Sequence, residues 1–453
     1  MSFANKSDGI PLYPVSSSNF EQWLTNLPGL QQKWLKAAGF NAKAGELCSL
    51  PDANGELHGY AFGMADEGWL YQLAPLPAKL PTGRYRLVSD WGRGQRLQAG
   101  LGWGLACYQF DLYRDPQREM PELALEDDIA VDAGRLLAAQ SLVRDLVNTP
   151  TEDMGPEQLA AAMRSEADEF DASMTVVQGV ELLNSNFPAI HVVGRASDRE
   201  PRLLKMEWGD DEHPLLALCG KGVCFDTGGL NLKPGSGMAL MKKDMGGSAH
   251  VLALARLIMQ AGLPVRLLVL IPAVENSVSG NAYRPGDVIP TRKGLSVEIG
   301  NTDAEGRVVL ADALAYACES EPDLVIDFAT LTGAARVALG TDIPPVFSNN
   351  IDIAKQMMAA GEEEEDPLWV MPLYQPYKEL LKSPIADLNN MASTPFGGCI
   401  TAALFMEHFV TEATDWVHID TWAWNQGNRP GRPAGGEAEG LRAVFRYLKD
   451  RYG

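Results

Sequence analysis

The chain has 453 residues, more than one hydrophobic core fills, so two domains are the expectation. Apolar residues make up 46% and charged residues 21%, which describes an ordinary globular chain and excludes a disordered or membrane-embedded one. The formal net charge of −21 speaks against binding a nucleic-acid backbone, which needs a basic face, and leaves clustered acids free for metal ions or cationic partners.

In chain order, residues 1–125 mix short apolar runs with turn residues. Residues 55–62 alternate as a strand does, and residues 95–112 are apolar at helical spacing. The stretch is expected to be a small α/β domain of unknown role, without a catalytic motif. Residues 116–126, rich in acid and proline, read as a linker. The second domain is expected over 126–453. It opens with a helix that places Ile129, Ala133, Leu137, Leu142 and Leu146 on one face and stops at Asn148-Thr149-Pro150. Another helix is expected over 157–163. Strands are then expected at 173–178, 189–193, 203–208, 215–219, 265–274, 324–329 and 416–421. Helices are expected at 247–261, 307–319 and 437–448. This alternation predicts an α/β fold with a mostly parallel central sheet flanked by helices. Such sheets hold ligands beyond the carboxyl ends of their strands, where Lys221, Asp226 and Asp303 fall.

The six cysteines, Cys48, Cys107, Cys219, Cys224, Cys318 and Cys399, form no C-x-x-C pair and read as reduced core residues. No basic-then-apolar leader and no apolar run near the ~18 residues of a membrane span are present, so a cytoplasmic protein without membrane contact is expected.

The six histidines, His58, His191, His213, His250, His408 and His418, form no H-E-x-x-H. His250, on a predicted helix among small residues, reads as a packed or capping histidine. Gly220-Lys221-Gly222 lacks the Ser or Thr of a phosphate loop, and no G-x-S-x-G elbow occurs. What stands out is the segment 220–307, where Asp226, Asp244, Asp303 and Glu305 sit at strand ends and glycine-rich turns beside Lys221 and Lys233. Taken singly, each reads as a turn acid or a surface lysine. As a set they call for a divalent cation, because neighbouring carboxylates otherwise raise each other's pKa. Oxygen donors with few histidines suit Mg, Mn or Zn in a two-metal site.

The segment resembles the leucyl aminopeptidase (cytosol aminopeptidase) family of di-metal exopeptidases. The resemblance runs over residues 144–453. It is carried most by 220–247 and by 301–314, which reads N-T-D-A-E-G-R-V-V-L-A-D-A-L, and also by 276–287 and by Thr330-Leu331-Thr332-Gly333-Ala334. Val308 stands where the family has leucine and Thr227 where it more often has serine, and no match extends into the first 125 residues. The resemblance implies that Asp226 and Glu305 bridge two metals, that Lys221 and Asp244 complete the tighter site, and that Asp303 completes the more exchangeable one. It implies Lys233 as the cationic catalyst, and Arg307 as the holder of a bicarbonate general base, with backbone amides near Gly306 and Leu331. Met241, Thr330, Leu331 and Gly333, with the loop 394–401, would bind substrate.

The expected activity is release of N-terminal residues from short peptides with a free α-amino group, by attack of a metal-bridging hydroxide, in a homohexamer whose sites face an inner cavity. Three other readings stand beside it: another di-metal hydrolase such as a phosphatase, a non-catalytic scaffold, and a DNA-binding regulator of the same family. The full second signature and Lys221 count against the first. All seven expected site residues count against the second, and the acidic charge counts against the third.

Overall fold

A computed structural model of the chain describes residues 3–5, 9–66, 68–116 and 118–453. The chain falls into two compact units, one of Met1–Ser141 with Gln426–Ala434, the other of Leu142–Asn425 with Gly435–Gly453.

The first unit is built on a six-stranded sheet in the order Phe3–Asn5, Glu122–Leu125, Arg84–Leu87, Ile10–Val15, Leu57–Gly63, Leu47–Pro51. All neighbours are parallel except the last pair. Leu12, Phe62, Tyr85, Trp103 and Leu123 pack together under it. The strand Glu122–Leu125 lies inside the stretch read as a linker. The strand E-L-A-L has a partner on each side, Leu123 and Ala124 pairing with both, and acids and proline nearby do not prevent that. Residue 117 of that stretch lies outside the described residues.

The second unit carries a nine-stranded sheet. Its path runs Trp369–Val370, Pro345–Ser348, Trp416–Asp420, Leu324–Ala329, Leu215–Gly220, Arg266–Asn276, Arg202–Trp208, Ser173–Gln178, and Gly222–Asp226 pairs with the far end of Arg266–Asn276. The middle is parallel, as near-continuous apolar strands buried on both faces require. The outer pairs Arg266–Asn276 with Arg202–Trp208, and Arg202–Trp208 with Ser173–Gln178, are antiparallel.

Alternation along Leu215–Gly220 sorts the helices. Cys219 faces Ala313 of the helix Glu305–Cys318, whereas a side chain on Gly220 would meet Val251 of the helix Gly246–Ala261. The two helices therefore cover opposite faces. All six cysteines are buried thiols. Among the described residues no helix is long and apolar enough to cross a membrane.

Two elements differ from the sequence expectation. Residues 189–193 are not a strand but part of the helix Pro188–Gly194. Pro188 presets the first helical φ, and the buried carboxylate of Asp312 accepts the amides of Ala189 and Ile190 at 2.8 and 3.3 Å. The closing helix starts at Leu441 rather than 437, after Gly440 at φ +73°. Glu437 and Glu439 are instead buried loop acids, Glu437 on Arg144 and Glu439 on the amides of Trp422 and Ala423.

Candidate active site

The site gathers where the parallel strands end. Lys221 follows the buried strand Leu215–Gly220 and is 2% exposed. Its path runs over Gly306, where a Cβ would stand 2.6–2.8 Å from the lysine side chain, so only glycine leaves room. Asp226 ends the strand Gly222–Asp226, and Gly228 and Gly229 beyond it take φ of +87° and +60°, turning the chain sharply. Asp244 sits on the short turn Met241–Met245. Glu305 opens the helix Glu305–Cys318, and Asp303 precedes it in the loop.

The structure brings Asp226, Asp244 and Glu305 together, all buried, with one oxygen of each within 4.8 Å of the others. Lys221 Nζ stands 2.9 Å from Asp244 Oδ1, 2.9 Å from Glu305 Oε1 and 3.0 Å from the carbonyl of Thr330, to which it donates. Lys233 Nζ stands 2.8 Å from Asp226 Oδ2 and 2.5 Å from Asp303 Oδ1. Asp303 is outside the trio and joins it through Lys233.

Burial dominates the electrostatics. It raises the Glu305 carboxyl to about 8 and Asp303 to about 6, with Asp226 adding to both, and it raises Asp244. Burial alone would lower both lysines. The carboxylates of Asp244 and Glu305 outweigh it at Lys221, and Asp226 and Glu305 outweigh it at Lys233, so both ammoniums lie above the usual lysine value.

These residues fit divalent cations. Asp244 Oδ2, Asp303 Oδ1 and Glu305 Oε2 are buried oxygens that accept no hydrogen bond, although a lysine ammonium stands close to the first two. Buried acceptors left in this state are rare, and a hard cation is what satisfies several at once.

Around them runs a frame that the sequence did not announce. Asn276, fully buried, donates to Asp226 Oδ1 at 2.8 Å and to the carbonyl of Thr302 at 3.0 Å. Asn390, also fully buried, accepts from the amides of Gly300 and Asn301, donates to the carbonyls of Asn301 and Ala304, and takes Arg307 Nη1 on its own carbonyl at 2.8 Å. Every hydrogen-bonding position of that amide is used. It lies 83 residues or more from its partners, and among Asp387, Asn389, Ser393 and Thr394 no local sequence signal sets it apart.

An open cleft of about 490 Å³ adjoins the acids, walled by Lys233, Asp303, Arg307, Leu331, Gly333 and the segment 391–395, among others. Thr394 and Thr401 of the expected loop also border it, whereas Met241 and Thr330 are not among its walls. Thr330 instead gives its hydroxyl to Asp244 Oδ1 at 2.8 Å. Arg307 has a buried Nε without an acceptor, and burial lowers its guanidinium to about 10, still charged at neutral pH. The Leu331 amide, expected to serve the same anion as Arg307, donates to Asp420 Oδ1 at 3.0 Å. Two larger clefts of about 510 and 710 Å³ lie elsewhere on this unit, lined by Asp352 and Glu363 and by Lys378 and Glu407 respectively. Volume alone therefore does not mark the site. The buried charge does.

Comparison with known proteins places the chain in a family. Residues 141–445 match the model described as cytosol aminopeptidase family, catalytic domain, and residues 10–126 match that of the M17 aminopeptidase N-terminal domain. The second match corrects the expectation that no family resemblance reaches the first 125 residues. A "Probable cytosol aminopeptidase" of Syntrophotalea carbinolica is 42% identical over 365 residues, 76% of this chain and 73% of that protein. Its counterpart in Desulfovibrio desulfuricans is 40% identical over 395 residues, 83% of this chain and 77% of that one. Among solved structures, the cytosol aminopeptidase from Coxiella burnetii superposes with a TM-score of 0.97 at 46% identity, covering 100% of this chain and 99% of that one. The bottromycin maturation enzyme BotP in complex with Mn superposes at 0.88 with 30% identity, covering 98% and 99%.

Proposed function

The chain belongs to the cytosol aminopeptidase family and is a hydrolase of leucyl-aminopeptidase type, and from that premise we propose that it releases N-terminal residues from short peptides with the help of two divalent metal ions per chain. The observation that carries the reading is the buried trio Asp226, Asp244 and Glu305, threaded by Lys221 and Lys233 beside an open cleft. Asp226 and Glu305 would be shared by both ions, Lys221 and Asp244 would complete one site, and Asp303 the other. Manganese or zinc, or magnesium, suits this donor set. When bound, the ions supply Lewis acidity for the peptide carbonyl and a water of lowered pKa, and a bicarbonate ion supplies a general base.

The chain's own groups do the rest. Lys233, on the cleft wall and held protonated by Asp226 and Asp303, donates to the oxygen on which charge develops. Arg307, with Nη1 fixed by Asn390 and Nε lacking an acceptor, holds the anion, with the backbone near Gly306 beside it. Lys221, to serve as a ligand, would have to be neutral, a state that a dication held by the same carboxylates would favour. Gly333 and Leu331 shape the room for the first side chain, with Thr330 behind them and Met241 outside the cleft walls. The home expected for this activity is the cytoplasm, and the assembly a homohexamer.

The test uses the whole chain, stripped with a chelator and then given Mn or Zn. Hydrolysis of chromogenic aminoacyl amides should return with the metal, and the N-acetylated amides should stay intact. Equal cleavage of blocked and free substrates, or turnover untouched by chelation, would sink the reading.

A further inference from the structure

We infer that Asp420 is a positioning residue of this site, one whose carboxylate fixes the turn 330–332 and thereby aims Thr330 at Lys221 and Asp244; the inference rests on the function proposed above.

Asp420 ends the strand Trp416–Asp420, in register with Ala329 at the end of the neighbouring strand Leu324–Ala329. It is 3% exposed, and a carboxylate at that depth persists only where its oxygens are satisfied. They are satisfied by one turn. Oδ1 accepts the amides of Leu331 and Thr332 at 3.0 and 3.1 Å, and Oδ2 accepts the Thr332 hydroxyl at 2.6 Å. Two consecutive amides aimed at one oxygen make a small anion-binding concavity, here filled by the chain itself. The Thr332 hydroxyl in turn accepts the amide of Ala335, capping the helix Gly333–Leu339.

The preceding residue turns the other way. The Thr330 carbonyl receives Lys221 Nζ at 3.0 Å, and the Thr330 hydroxyl donates to Asp244 Oδ1 at 2.8 Å and to the Asp244 carbonyl at 3.0 Å. Asp420 therefore touches none of the metal-binding candidates, yet it pins the one turn that touches two of them. It also withholds an amide from the cleft. Leu331 N–H points to Asp420, so an anion on Arg307 is held without it.

Partners that orient metal ligands from behind cost about 10–100-fold in metal affinity or activity when removed. Three variants of the full chain are compared for metal retained after dialysis, by elemental analysis, and for kcat and KM on leucine p-nitroanilide. Asp420→Ala should lose about tenfold or more in metal affinity and in kcat/KM, with the far-ultraviolet dichroism of the parent. Asp420→Asn, whose amide oxygen still accepts both backbone amides and whose NH2 can face the Thr332 hydroxyl, should recover to within a few-fold of the parent. Asp420→Glu keeps the charge but moves it by one methylene. It should fail as the alanine variant does, and it carries the test if alanine does not fold. Parent-like metal retention in the alanine or glutamate variant overturns the inference. So does an equal loss in Asp420→Asn and Asp420→Ala. The retention readout does not depend on turnover. A parent chain that holds two ions and cleaves nothing would sink the aminopeptidase reading and leave the role of Asp420 standing.

Discussion

Lys221 and Lys233 divide the acids between them. The first is in reach of Asp244 and Glu305, the second of Asp226 and Asp303. Their surroundings differ enough to separate their jobs. Lys221 is 2% exposed and aimed by a rigid strand end, whereas Lys233 borders the cleft. Lys221→Ala should therefore weaken metal binding, and excess metal should partly restore turnover. Lys233→Ala should keep both ions and lose on the order of 10²–10³ in kcat, as loss of an oxyanion donor does. Metal titration that revives Lys233→Ala and leaves Lys221→Ala dead would reverse the assignment. The frame is equally testable. Asn390→Ala strands four backbone groups of the loop 300–304, and unfolding by urea should show a loss on the order of 3 kcal/mol. A loss below about 0.5 kcal/mol, typical of a surface change, would mean water replaces the amide. The crowding of Lys221, Asp226, Lys233, Asp244, Asp303 and Glu305 was legible in the sequence because they share one segment rich in glycine. Asn276, Asn390 and Asp420 were not, because each acts across 26 to 90 residues through a single ordinary side chain.

At the scale of elements, buried polar groups explain where sequence patterns fail. The run A-I-H-V-V looked like a strand, since β-branched residues favour one. A carboxylate from another helix caps it instead, which no local pattern reveals. The long buried strands and the helices Gly246–Ala261 and Glu305–Cys318 were readable because their periodicity is dictated by two buried faces. His250, in the first of these helices, is a structural histidine as expected. Its Nδ1–H donates to the Gly246 carbonyl at 2.7 Å and its Nε2 accepts the Glu439 amide at 2.9 Å, so the ring is neutral and stacked on Phe328. Burial lowers it to about 4 from an ordinary 6.5. Between those values the unfolded chain takes up a proton that the folded chain refuses. This contribution to stability is full above pH 6.5 and is lost as pH falls toward 4, on the order of 3 kcal/mol. Asp312 works the other way. Burial lifts it from 3.8 to about 7, so its contribution is full below pH 3.8 and is lost as pH rises to 7. Asp303 and Glu305, lifted by burial to about 6 and about 8, pull the same way as Asp312, so His250→Gln should make stability fall more steeply with rising pH than in the parent. Urea midpoints of parent and variant should lie well apart at pH 7.5 and converge by pH 4.5. Parallel curves would show that His250 does not titrate with unfolding.

The whole molecule sets what can reach the site. A cleft of about 490 Å³ admits a few residues of peptide, and assembly into a hexamer would keep folded proteins out. Light scattering at micromolar concentration should give a mass near six chains, and a sharp monomer peak would count against the assembly. The division into two units was legible from length alone, but the strand at Glu122–Leu125 and the return of Gln426–Ala434 to the first unit were not. One feature of the site reaches further than the site. The two lysines already answer four carboxylates with opposite charge from within the chain, so the acids do not have to wait for a cation before the strands can close around them. On the function proposed above, such a folded chain would stand idle until manganese or zinc reached it.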